Sequence, residues 1–147
     1  MKAIIAVNNL GFIGLDNGLP WRSKADFKHF KEMTMGGTLL VGSTTAATLP
    51  PLSGRKIIVA SKLMAFHDIV SEDETNGFWV LDKEKWVKID WCIGGKFTYE
   101  RFCPCFTELH ISHINDNTIG DVGFPILNSL NVNCKIFNYH FDVDLIR

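Results

Sequence analysis

The stretch Ile13-Gly-Leu-Asp-Asn-Gly-Leu-Pro-Trp21, followed five residues later by Asp26, is the part of this chain best suited to chemistry. A loop rich in Gly and Asn ends in Pro20-Trp21 and runs into a helix. That helix carries one carboxylate on the edge of an otherwise apolar stripe. A lone acid among apolar neighbours can hold and protonate a polar heterocycle, because desolvation raises its pKa toward neutrality. Phe27 and Phe30 flank it, and the Pro-Trp loop can fold over it. A second reading stays open. Ser23-Lys-Ala-Asp26 nearly matches a capping box, and Asp is favoured in a first helical turn.

Gly42-Ser43-Thr44-Thr45 follows an apolar run and opens a helix. Amides at such a turn can bind phosphate, and Thr hydroxyls add donors; a plain N-cap turn is the alternative. Ile93-Gly94-Gly95-Lys96-Phe97-Thr98-Tyr99 repeats the arrangement. Two such turns in one sheet could grip the two phosphates of a dinucleotide. Neither is the GxGxxG fingerprint, so the ordinary dinucleotide fold is not indicated. Arg55 reads as a bidentate clamp for a ligand carboxylate or as a solvated surface charge. His110 and His113 fall in an expected strand, where they face opposite sides, so no metal site is expected. The four cysteines form no CxxC pair, and a chain of 147 residues needs no disulfide framework, so they read as reduced cytosolic thiols.

The elements that must position these residues are legible as patterns. Ala3–Val7, Thr38–Val41, Lys56–Ala60, Phe78–Leu81 and Trp91–Ile93 are short continuous apolar runs, as in parallel strands covered on both faces. Helices are expected over Lys24–Met35, Thr44–Leu49 and Lys96–Phe102, with one or two helical turns over Lys83–Lys88. Glu108–Ile114 and Lys135–Ile146 alternate, as antiparallel strands with a wetter face do. The expected fold is α/β: one domain over residues 1–147, a mostly parallel sheet with an antiparallel C-terminal strand, flanked by helices. A net charge of −1 without a basic block argues against a nucleic-acid or acidic-membrane surface. The opening apolar run is too short for a membrane span.

These pieces resemble the dihydrofolate reductase family over nearly the whole chain. The matching residues are Ile13-Gly14…Gly18-Leu19-Pro20-Trp21, Asp26…Phe30, Gly42-x-x-Thr45 and Leu52-x-Gly54-Arg55-Lys56. Ile93-Gly94-Gly95…Tyr99-Glu100 and Gly120-Asp121 with Phe124-Pro125 continue the match, and Tyr139-His-Phe-Asp142 is similar to the family's final strand. The resemblance implies NADPH-dependent reduction of 7,8-dihydrofolate to tetrahydrofolate in the cytoplasm. A monomer that binds small molecules, antifolate inhibitors included, is implied as well.

Asp26 would be the one ionisable group of the pterin pocket and would assist protonation at N5, with Trp21 and Leu19 beside it on the closing loop. Ile4 and Ile93 would offer backbone carbonyls to the ring. Phe27, Phe30, Leu49, Leu52 and Ser112 would line the substrate pocket, and Arg55 would hold the glutamate carboxylate. Ala6, Ile13 and Gly14 would meet the nicotinamide end. Gly42, Ser43, Thr44, Thr45, Gly94, Gly95, Lys96, Phe97, Thr98 and Tyr99 would surround the phosphates, with Ser61 and Lys62 on the adenosine side. Gly94-Gly95 would be a cis peptide.

Three departures from the family stand out. Ser43 replaces a frequent Arg that pairs with the 2′-phosphate, Lys96 replaces a frequent Gly, and the chain is short around residues 65–90 and in the C-terminal hairpin. Two rivals are the pyrimidine reductase of riboflavin synthesis, which resembles this fold, and a binding or structural protein that kept the fold without turnover. The combination of Asp26 and Arg55 argues against the first. The combination of Asp26, Thr45 and Gly94-Gly95 argues against the second.

Overall fold

Buried strands and the crossovers between them account for the architecture. In chain order the elements are β1 (Lys2–Asn8), β2 (Phe12–Gly14), α1 (Lys24–Thr34), β3 (Thr38–Val41), α2 (Ser43–Thr48), β4 (Lys56–Val59) and β5 (Ile69–Asp73). There follow β6 (Gly77–Asp82), β7 (Lys85–Ile89), β8 (Trp91–Cys92), α3 (Lys96–Phe102), β9 (Glu108–Asn115), β10 (Val122–Gly123) and β11 (Lys135–Asp142). The structure, a computed structural model, describes residues 1–60, 69–73 and 77–145.

Six strands form the main sheet in the order β11-β9-β1-β8-β3-β4, and every adjacent pair in it is parallel. Successive side chains of a strand serve opposite faces. Ile4, Leu39, Val41, Trp91 and Ile93 pack on the face that meets Phe30 and Met33 of α1. Ala3, Ile5, Leu40 and Cys92 pack on the other, with Tyr99 and Phe102 of α3. Coverage on both faces is why these strands read as continuous apolar runs.

The structure corrects three expectations. First, the C-terminal strand is parallel, not antiparallel: Lys135 registers with Glu108 and Asp142 with Asn115. Alternation reports one wet face, not direction. Residues 116–134 are long enough for the crossover that a parallel return needs. Second, Phe78–Leu81 is not in the main sheet. As part of β6 it lies in an antiparallel sheet between β5 and β7, with Phe78 and Val80 buried. Third, Lys83–Lys88 is not helical. Lys83 and Glu84 both take left-handed φ values, +48° and +67°, which suits the tight turn joining β6 to β7. Beyond them Lys-Trp-Val-Lys-Ile favours a strand.

Helix α1 begins where its sequence says. Ser23 is the N-cap, accepting from the Asp26 amide at 3.2 Å, and Gly36 at φ +77° follows its end. Helix α2 stops at Leu49, whose extended backbone suits the residue before Pro50. No helix of the described residues is long and apolar enough to cross a membrane.

Candidate active site

Asp26 sits on the first turn of α1, 8% exposed. The capping reading is half right. The cap is Ser23, bonded by Asp26's backbone; the Asp26 carboxylate turns inward and accepts a hydrogen bond from Ser112 of β9. Burial pushes its pKa up, opposed by the Ser112 hydrogen bond and by the nearby His29. Helix α1 is also tied at its start to the C-terminal segment. The Ser23 hydroxyl donates to the Asp142 carbonyl at 2.7 Å, and the Lys24 amide donates to Asp144 Oδ1 at 2.9 Å.

The expected substrate side converges on this carboxylate. Ala6 of β1 registers with Ser112. The Ile4 carbonyl accepts from the buried Tyr99 hydroxyl; a carbonyl oxygen has a second lone pair for another donor. Phe30, Leu49 and Leu52 pack around Ile4 and Ile93, whereas Phe27 is half exposed. Arg55 lies with its guanidinium 5.9 Å from the Phe30 ring centre, donating to Ser53 O at 3.2 Å and Thr34 Oγ1 at 3.3 Å. Those contacts hold its planar fork beside Phe30.

The loop between β2 and α1 folds back on itself. Leu15 and Gly18 bridge, with Asp16 and Asn17 at positive φ between them. The Asp16 amide donates to Asp121 Oδ2 at 3.1 Å, and Thr48 Oγ1 donates to the Asn17 carbonyl at 2.9 Å. A Cβ on Gly120 would collide with the Gly14 carbonyl, so the two segments are in close contact. Ile13 packs on the core, Leu19 is exposed, and Trp21 is buried. Trp21 Nε1 is buried with no hydrogen-bond partner among the described residues. A cavity of about 650 Å³ touches Trp21 from the side of Asp116, Thr118 and Asp144; Asp26 is not in its wall.

The two glycine turns meet. The Gly42 amide donates to the Gly94 carbonyl at 2.7 Å. A Cβ on Gly42 would lie 2.6 Å from Thr98 Oγ1, and one on Gly95 2.9 Å from Thr45 Oγ1. Gly94-Gly95 is a cis peptide. Ser43 and Thr44 are exposed on α2, Lys96 is half-buried and Phe97 projects outward. The helix starts and Thr hydroxyls therefore share one cradle. Ser61 and Lys62 lie outside the described residues.

Nothing in the sequence points to His29 near Asp26, and His110 enters there only as a possible metal ligand. His29 stands one turn beyond Asp26 with its ring tilted 48° against that of Tyr139 of β11, so a second ionisable group lies close to Asp26. His110 is buried, 2.8 Å from the Tyr139 hydroxyl and 2.9 Å from Glu108 Oε1. His113, as expected, faces the other way, toward Asn138. Three-residue spacing on α1 was the available signal; the β11 register that gives it meaning was not. Among the described residues no group of three or more His, Cys, Asp or Glu is arranged to hold a metal, and none of the four cysteines is in a disulfide.

The sequence model of the family described as dihydrofolate reductase matches residues 1–140. The chain is 32% identical over 131 residues to dihydrofolate reductase type 9 of Escherichia coli, covering 82% of this chain and 73% of that protein. It is 32% identical over 136 residues to the dihydrofolate reductase of Mycobacterium leprae, covering 84% and 79%. A solved dihydrofolate reductase from Enterococcus faecalis, complexed with NADP(H) and RAB-propyl, superposes with a TM-score of 0.63. It is 24% identical, covering 86% of this chain and 77% of that one, and shows the shared fold.

Proposed function

Since the chain belongs to the dihydrofolate reductase family, we propose that it reduces 7,8-dihydrofolate to tetrahydrofolate with NADPH, using Asp26 as its acid. The observation that carries the assignment of Asp26 is the buried carboxyl itself. It is held against Ser112 and raised in pKa by burial.

Reduction adds a hydride to C6 of the pterin and a proton to N5. The hydride is what bound NADPH supplies. The fit of this chain to such a cofactor is supported by the joined turns at Gly42–Thr45 and Gly94–Thr98. There the backbones approach so closely that a Cβ on Gly42 or Gly95 would strike a Thr hydroxyl. Those turns would hold the pyrophosphate, with Tyr99 beneath them. Ala6, Ile13 and Gly14 would meet the nicotinamide end, and Ser43 the adenosine end.

On the substrate side Asp26 would bond the ring amide and 2-amino group. Phe27, Phe30, Leu49 and Leu52 would line the ring and benzoyl group. Arg55 would take the glutamate carboxylate. Trp21 and Leu19 would close over the rings and exclude water. Asp26 would assist proton delivery to N5 through water and by polarising the ring, while the rest of the pocket fixes the two reacting rings in register. Four cysteines outside any disulfide suit a reducing cytoplasm, where the protein would act as a monomer.

The test is dihydrofolate-dependent oxidation of NADPH by the purified protein. The expected result is one NADPH oxidised per dihydrofolate reduced, with no NADPH oxidised when dihydrofolate is left out. Tight binding of both ligands without turnover would support a binding protein instead. Turnover of the pyrimidine intermediate of riboflavin synthesis in place of dihydrofolate would favour that reductase.

A further inference from the structure

Asp26 has a neighbour that the reduction does not require. His29 lies three residues along α1, and residues three apart on a helix share a face. Both side chains turn toward the β9–β11 pair. Asp26 takes a hydrogen bond from Ser112 of β9. His29 packs on Tyr139 of β11, ring centres 4.2 Å apart, and on Phe141 at 5.3 Å. Ser112 and Tyr139 are themselves register partners on adjacent strands. An acid–imidazole pair on the helix therefore faces a hydroxyl–phenol pair on the sheet. The Tyr139 hydroxyl is engaged by His110, whose other nitrogen meets Glu108. His29 Nε2 is buried without a hydrogen-bond partner among the described residues.

We propose that His29 is a second protonation site coupled to Asp26, and that it sets the pH range over which Asp26 carries its proton. The proposal rests on Asp26 being the acid of the reduction.

With one proton on the pair there are two arrangements. The proton sits on the carboxyl beside a neutral ring, or on the ring beside a carboxylate. Only the first leaves Asp26 protonated. A positive ring nearby favours the carboxylate, so His29 moves Asp26's titration to lower pH, against the upward push of burial. Several groups bias the ring. Burial pushes its pKa down most, Asp26 pulls it up, His110 of β9 pushes it down and Glu32 of α1 pulls it up. Tyr139 of β11 contributes a neutral face, with Glu108 behind His110. Two sites coupled this way titrate with values that belong to the pair.

The experiment is single-turnover hydride transfer against pH in the parent, His29→Gln, His29→Phe and Asp26→Asn. Loss of His29 is expected to move the midpoint of the alkaline limb up by roughly half a pH unit, so that the rate above it rises about threefold. A residue with only a structural role would lower the rate and leave the midpoint alone. Coupling is reciprocal. Asp26→Asn is therefore expected to lower the titration midpoint of the His29 ring, followed by NMR, by the same amount. An unchanged or lowered limb in both His29 variants would overturn the proposal, as would an unmoved ring titration in Asp26→Asn. The ring measurement decides the matter if the His29 variants fail to fold. Asp26→Asn keeping the parent's limb would instead overturn Asp26 as the acid, whatever His29 does.

Discussion

The Thr98 hydroxyl occupies the space that a side chain at position 42 would need: a Cβ on Gly42 would lie 2.6 Å from Thr98 Oγ1. Thr98 is buried, so the hydroxyl has little room to retreat. Gly42→Ala is expected to destabilise the fold by about 1–3 kcal/mol, the usual cost of overpacking. It should also weaken NADPH binding more than dihydrofolate binding. Thr98→Ala removes the obstructing atom, so the double variant should be more stable than the sum of the single losses predicts. Thermal unfolding and titration of both ligands check this; strict additivity would mean that the two turns do not meet.

Asp26→Asn is expected to bind dihydrofolate and to turn it over about 10²–10⁴-fold more slowly at neutral pH, the range general acids contribute. The rate should recover partly in acid, where solvent supplies the proton. An unaltered neutral rate would leave the residue with no role beyond the first turn of α1.

The same substitution carries a stability prediction. Burial holds Asp26's folded-state pKa above the ordinary carboxylate value. A group so shifted contributes fully below its unfolded-state pKa, and the contribution is lost as pH rises through the folded-state value. Asn cannot ionise. The variant's stability relative to the parent should therefore climb from pH 4 to pH 8. Each unit of upward shift corresponds to about 1.4 kcal/mol, or roughly 3–4 °C in Tm for a chain of this size. A relative stability that falls over that range would contradict the buried position of the carboxyl.

Arg55→Leu should raise the Kd for dihydrofolate about ten- to a hundredfold, because a charge-assisted carboxylate contact contributes roughly 1.5–3 kcal/mol. A pterin without the glutamate tail should be nearly unaffected. Since Arg55 also bonds Thr34 and covers Phe30, equal weakening of both ligands would assign it to the pocket wall instead.

Ser43 stands exposed at the first position of α2, which the proposed cofactor site sets at the adenosine end. Ser43→Arg should raise the preference for NADPH over NADH by about tenfold, one charge-assisted contact being close to 1.4 kcal/mol. The ratio of kcat/KM for the two cofactors measures it. An unchanged ratio would move the phosphate away from α2.

The glycine turns and the helix bearing Asp26 were legible because their signals are local. Ser23 caps, Gly36 ends, and Gly42 and Gly94-Gly95 leave room for the side chains of Thr98, Tyr99 and Thr45. The direction of β11 was not legible, since a strand of either sense alternates when one face is wet. The strand at Lys85–Ile89 was hidden by Lys83-Glu84, which nothing local marks as left-handed. His29 was hidden for a compound reason. Its meaning depends on Tyr139 standing beside Ser112, and that depends on the parallel register of β9 and β11.

That sheet order also has a consequence in time. β1 lies between β8 and β9, so it needs neighbours made about a hundred residues later. At roughly 5–20 residues per second, the wait is on the order of 5–20 s. Throughout it Ile4, Ile5 and Val7, buried in the finished protein, have no strand beside them. Only when Glu108–Asn115 has been made can β1 pair along its whole length.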